Sequence, residues 1–164
     1  MNHGERSQCT ESSGLSTTPS SLNSNSSAQS EQVDIPSQIR MAVVAHARFC
    51  MPEEACGLLA VDRAGGLKMA YATTNVERSR VRFTVAPGEH YGAIRSAEAR
   101  GWVIGGSFHS HPESAAFPSA TDISGALDSS WLYLVVGMGD EFPDLRGFRI
   151  REMMVDEVVL REVP

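Results

Sequence analysis

An apolar run at residues 102–108 leads directly into His109-Ser110-His111-Pro112, and this junction constrains the fold more than any other part of the chain. The run reads as a buried strand. Side chains at i and i+2 of a strand face the same way, so His109 and His111 are delivered together to one face of a sheet. Asp122 follows far enough on for a loop to return and add a carboxylate. Two imidazoles and one carboxylate form a three-donor set with a fourth position open, which is how catalytic zinc is held; closed structural sites use four ligands and favour Cys. An isolated His-x-His is more often a surface or core pair than a metal site. The other residues of the chain must therefore carry part of the argument.

Residues 119–122, Ser-Ala-Thr-Asp, match the Ser-x-x-Asp form of a capping box. Ser119 would sit at the N-cap and Asp122 at N3 of a helix reaching about residue 127. A carboxylate in a first helical turn is well fixed, so a capping and a ligand role for Asp122 are compatible. Far upstream, Pro52 ends a helical pattern and a strand-like run begins near Ala55, which puts Glu54 at the boundary. Rigid neighbours can aim a side chain there into a cleft, and a glutamate beside a metal suits proton transfer. Cys56 is the competing candidate, as a thiol nucleophile using His109 or His111 as its base. Its small and apolar neighbours instead predict a buried, inert side chain.

Taken together, Glu54, then His109-Ser110-His111-Pro112, then Ser119-x-x-Asp122 resembles the signature of the JAMM (MPN+) zinc metallopeptidases in order and spacing, over roughly residues 33–164. Within that family the chain looks most like short bacterial members that trim a cysteine adduct from a small sulfur carrier. Residues 41–48, 54–57 and 74–79 carry this closer likeness. The resemblance implies an α+β fold of the cytidine-deaminase-like type, a curved mixed β-sheet flanked by helices. It also implies Zn²⁺ held by His109, His111 and Asp122, Glu54 as proton carrier, and Ser119 supporting the oxyanion. The implied activity is hydrolysis of the peptide or isopeptide bond after the C-terminal Gly-Gly of a ubiquitin-like sulfur-carrier protein, releasing cysteine or a short extension. Two alternatives stay open: a non-catalytic MPN scaffold, and a zinc amidohydrolase acting on a small molecule.

Composition bounds the rest. Residues 1–32 hold ten Ser and three Thr with scattered apolar positions. Such a segment buries too little surface to offset its ordering entropy, which predicts a disordered tail before a single domain at 33–164. It lacks the pattern of a secretory signal, and no run approaches the ~20 apolar residues of a membrane helix. A net charge of −6 without a basic face argues against nucleic acid as partner. Three cysteines, Cys9, Cys50 and Cys56, show no disulfide pattern and point to a reducing, cytoplasmic setting.

The periodicities predict a strand at 33–35, a helix from Ser37 to about Cys50, and a hairpin of strands 58–61 and 67–72. A short strand is expected at 82–85, followed by a helix opened by Pro87 and closed near Gly101. Strands at 102–108, 131–136, 145–150 and 155–163 complete the count, with a turn around Met153. Trp102 and Trp131 are expected in the core, His46 and His90 on helices as packing or surface residues.

Overall fold

The computed structural model describes residues 30–164; the Ser-rich segment expected to be disordered lies almost wholly outside them. One seven-stranded mixed sheet organises the chain, in the order β1-β7-β6-β5-β4-β2-β3. The strands are β1 (Gln32–Pro36), β2 (Cys56–Val61), β3 (Leu67–Thr73), β4 (Val103–His111), β5 (Leu132–Gly137), β6 (Asp144–Arg151) and β7 (Met154–Val163), joined by helices α1 (Ser37–Cys50), α2 (Pro87–Glu98) and α3 (Ala120–Ser124). This is the expected α+β class.

Helix α1 begins where Pro36 ends β1 and stops before Pro52, which cannot continue a helical ladder. It buries Ile39, Val43 and Ala47 against one face of the sheet, on Ala55, Leu59, Phe108, Leu134 and Val136. Burial of each large apolar side chain there contributes about 1.5–3 kcal/mol. A smaller cluster on the opposite face gathers Ala116, Tyr133, Val135, Phe148 and Ile150. Strand β5 feeds both and is buried along its whole length, as its unbroken apolar run predicts. The turn between β6 and β7 places Glu152 and Met153 at positive φ (49° and 68°). Gly101 follows α2 at φ 73°, a conformation that favours glycine.

Three expectations need correction. Residues 82–85 form no strand; an isolated bridge between Asn75 and Val85 is the only sheet-like pairing among them. Helix α3 is a single five-residue turn that ends before Gly125, well short of residue 127. Neither tryptophan is in the core. Trp131 is half-buried and lines a cleft, and half-buried Trp102 lies beneath the Arg100 guanidinium at 5.9 Å.

Strand β4 also runs further than its apolar stretch, through His111. It pairs antiparallel with β2, with Cys56 opposite His109, and parallel with β5, with His109 opposite Val135. A parallel pair cannot be joined by a tight turn; the chain must leave the sheet and return over one face. That crossover carries residues 112–131, and it brings α3 back to the carboxyl end of β4. Sheet topology thus delivers Asp122 to the two histidines.

Candidate metal centre

His109 and His111 project from the last turns of the β4 pleat onto the face opposite α1. Their Nε2 atoms lie 3.0 Å apart. Asp122 Oδ2 stands 3.3 Å from His109 Nε2 and 3.4 Å from His111 Nε2. Tetrahedral zinc with bonds of about 2.0–2.1 Å sets its donors about 3.3 Å apart. The three atoms already have that spacing. Lone pairs converging this closely repel one another unless a cation or a proton lies between them, so the donor set fits a metal chemically as well as geometrically.

Each donor is oriented by a second contact. His111 Nδ1–H donates to the Ala115 carbonyl at 3.1 Å, which leaves Nε2 as the lone-pair nitrogen. Ala115 lies on the loop after β4, and this loop passes so close to Gly137 that a Cβ there would stand 2.5 Å from the Ala116 nitrogen and 2.9 Å from the Ala115 carbonyl carbon. The His109 ring stacks on Phe83, centroids 4.7 Å apart and planes 22° from parallel. Asp122 is held by the expected capping box: Ser119 N–H donates to Asp122 Oδ2 at 2.7 Å, and Asp122 N–H donates to Ser119 Oγ at 3.2 Å.

Charge follows the same pattern. Burial works against the Asp122 carboxylate, yet hydrogen bonds from His109 and His111 hold its pKa well below the usual range. Burial lowers the His109 pKa. At His111 burial also opposes the charged form, but Asp122 and the Ala115 carbonyl raise its pKa overall.

Glu54 precedes β2 and is buried, 4% exposed. Its N–H donates to the Ser79 carbonyl at 2.8 Å, and Asn75 Nδ2 donates to its carbonyl at 3.1 Å. Ser110, between the two histidines, locks the next residue: its Oγ accepts from Ala55 N–H at 2.9 Å and its N–H donates to the Ala55 carbonyl at 3.0 Å. Burial raises the Glu54 pKa to about 7, with Asp122 adding to the rise and His111 opposing it. A carboxyl group balanced near neutrality can both accept and release a proton. Cys56 is fully buried against Thr73, and burial pushes its thiol up to about 11, the opposite of an activated nucleophile.

A cleft of about 350 Å³ opens beside the centre. His109 and Asp122 line it together with the apolar side chains of Leu58, Phe83, Val85, Trp131 and Tyr133. Val81 and Leu127 also line it and are 82% and 78% exposed. His90 of α2 also lines it, while His46 of α1 donates from Nε2 to the Thr73 carbonyl at 3.2 Å. The structure thus brings His109, His111 and Asp122 together, with Ser119 capping Asp122 and Glu54 near enough to His111 and Asp122 to feel their charges. Phe83 and the Ala115 carbonyl had given no comparable signal, because each acts through packing or backbone contacts; Ser110 and Asn75 lay within the stretches that carried the resemblance, but without an assigned role.

The description "prokaryotic homologs of the JAB domain" matches residues 36–151. The chain belongs to this family. Among curated relatives, the CysO-cysteine peptidase of Mycobacterium tuberculosis is 35% identical over 118 residues, covering 71% of this chain and 81% of the relative. The desampylase of Haloferax volcanii is 32% identical over 132 residues, covering 71% of this chain and 95% of the relative. A solved protein from Desulfitobacterium hafniense superposes with a TM-score of 0.73 at 33% identity, covering 80% of this chain and 92% of the other. A JAB1/MPN domain protein from Archaeoglobus fulgidus shares the fold, with a TM-score of 0.52 at 18% identity, covering 80% of this chain and all of the other.

Proposed function

We propose that this chain is a zinc metallopeptidase that cuts after the C-terminal Gly-Gly of a small ubiquitin-like sulfur carrier and releases cysteine or a short extension. The observation that carries this reading is the convergence of His109 Nε2, His111 Nε2 and Asp122 Oδ2, with buried Glu54 within reach of the charges of His111 and Asp122. These three side chains would hold the ion. When bound, it supplies a Lewis acid that polarises a carbonyl and makes water nucleophilic at neutral pH.

The protein's own residues complete the chemistry. Glu54, deprotonated, takes a proton from the attacking water and passes it to the departing amine. Its burial supports both halves of that task, because a carboxyl group near pKa 7 is a usable base and a usable acid. Ser119 Oγ accepts the Asp122 N–H, a bond that occupies a lone pair and leaves the hydroxyl proton to donate. That proton supports the negative oxygen of the tetrahedral intermediate. Capping and oxyanion support therefore do not compete for the same part of the hydroxyl group.

The cleft supports a substrate presented as an extended tail, with the apolar wall from Val81 to Trp131 taking the residues ahead of the glycines. Membership of the JAB family and relatives named CysO-cysteine peptidase and desampylase support a small protein modifier as substrate. The cytoplasm is the proposed compartment, consistent with Cys50 and Cys56 as free thiols.

Intact-mass spectrometry tests the reading. A ubiquitin-like carrier ending in Gly-Gly-Cys, incubated with the protein and zinc, should lose the cysteine and keep a free glycine carboxylate. An uncut carrier alongside rapid cleavage of a small amide or of linked polyubiquitin would refute the substrate class.

A further inference from the structure

Asn75 is a buried polar side chain, 7% exposed, that none of the chemistry above uses. Its amide nitrogen donates to two carbonyls, Glu54 at 3.1 Å and Arg82 at 3.0 Å. Its amide oxygen accepts two backbone N–H groups, Glu77 and Thr84, both at 3.1 Å. Two carbonyls facing one end and two N–H groups facing the other fix which way the amide points. The full hydrogen-bonding capacity of an asparagine is used, and no other side chain of that size offers two donors and two acceptors.

What these bonds connect gives the residue its meaning. Arg82 and Thr84 flank Phe83, whose ring stacks on His109. A third bond reaches the main chain of Glu54. One amide therefore ties the residue proposed to carry the proton to the loop that braces a proposed metal ligand. Segment 82–85 has one bridge to the main chain, with Val76 N–H donating to the Thr84 carbonyl and Ala86 N–H to the Thr74 carbonyl. The Asn75 side chain adds the bonds to the Arg82 carbonyl and the Thr84 N–H.

We propose that Asn75 is a positioning residue that sets Glu54 and His109 in register with one another, through the Glu54 carbonyl on one side and Phe83 on the other. The inference rests on the reading of Glu54 as proton carrier. Outer-shell partners of metal ligands contribute about 10–100-fold to affinity or activity, and Asn75 belongs at that level.

Asn75→Asp is the informative change. It keeps the shape and the two accepted bonds but sets a carboxylate oxygen against the Glu54 and Arg82 carbonyls. Zinc affinity is read by competition with a chromophoric chelator, and kcat and KM are taken per folded, zinc-loaded chain. We expect zinc affinity to fall about tenfold and kcat to fall about 10–100-fold with KM little changed. In a Glu54→Gln background, Asn75→Asp should lower kcat no further, because groups acting as one unit are non-additive. Phe83→Leu, which leaves Asn75 intact, should weaken zinc binding in the same chelator competition, and that readout decides the His109 arm should Asn75→Asp fail to fold. Unchanged zinc affinity and turnover per folded chain, or penalties that multiply in the double variant, overturn the proposal. Normal turnover of Glu54→Gln by itself would refute the role of Glu54 instead, and the chelator competition would still decide whether Asn75 braces His109.

Discussion

Replacing Gly137 by alanine should weaken metal binding without touching any ligand. Gly137 ends β5, and its φ lies outside the glycine-favouring region, so the backbone accepts alanine; only space is at issue. A Cβ would meet the Ala116 nitrogen at 2.5 Å, the Ala115 carbonyl carbon at 2.9 Å and the Ser114 oxygen at 3.1 Å. All three are backbone atoms, so the loop itself must move. The Ala115 carbonyl is the partner of His111 Nδ1 at 3.1 Å, and a shift of half an ångström or so is enough to lengthen that bond beyond useful range. Loss of such an outer-shell bond lowers metal affinity about 10–100-fold, or about 1.4–2.8 kcal/mol. Overpacking should also lower stability by about 1–3 kcal/mol. Isothermal titration of zinc into the metal-free variant, beside a denaturant melt, separates the two effects. Gly92→Ala is the control, since its Cβ would meet nothing within 4 Å and lies on α2, away from this loop. Zinc affinity within twofold of wild type in folded Gly137→Ala would refute the claim that this loop orients His111.

Glu54→Gln should retain zinc and lose about two to four orders of magnitude in turnover, measured by single-turnover mass spectrometry. Because the base form of Glu54 is the active one, kcat/KM should rise with pH, with a midpoint at or below about 7, since a nearby cation favours the carboxylate; a profile that falls through this range contradicts the role. Iodoacetamide should leave activity intact while a chelator abolishes it, because the Cys56 thiol is buried and pushed up to about 11. Gly92→Ala, in the exposed middle of α2 with nothing within 4 Å of the new Cβ, should raise stability by about 0.5–1 kcal/mol in a thermal melt.

Much of this architecture was legible because the chain punctuates itself. Pro36 and Pro52 bracket α1, Pro87 opens α2, and Ser119 caps α3. The His-x-His spacing also implied a shared strand face. The strand expected at 82–85 failed for a specific reason. Val81, Phe83 and Val85 alternate as a strand would, but all three line the cleft wall, and the Asn75 side chain takes up the backbone groups that a neighbouring strand would have used. Trp131 misled similarly: its apolar bulk suits a core, yet it lies just before β5 and lines the cleft. The helix from Ser119 ended early because Gly125 follows one turn later. Periodicity reports that a surface is apolar; it does not tell a core from a binding cleft.

Metal content tests the central claim most directly. Protein purified without chelators should carry close to one zinc per chain by inductively coupled plasma mass spectrometry, and His109→Ala or Asp122→Ala should remove it while the fold survives by circular dichroism. Folded wild-type protein that neither contains nor takes up a divalent metal would contradict the account.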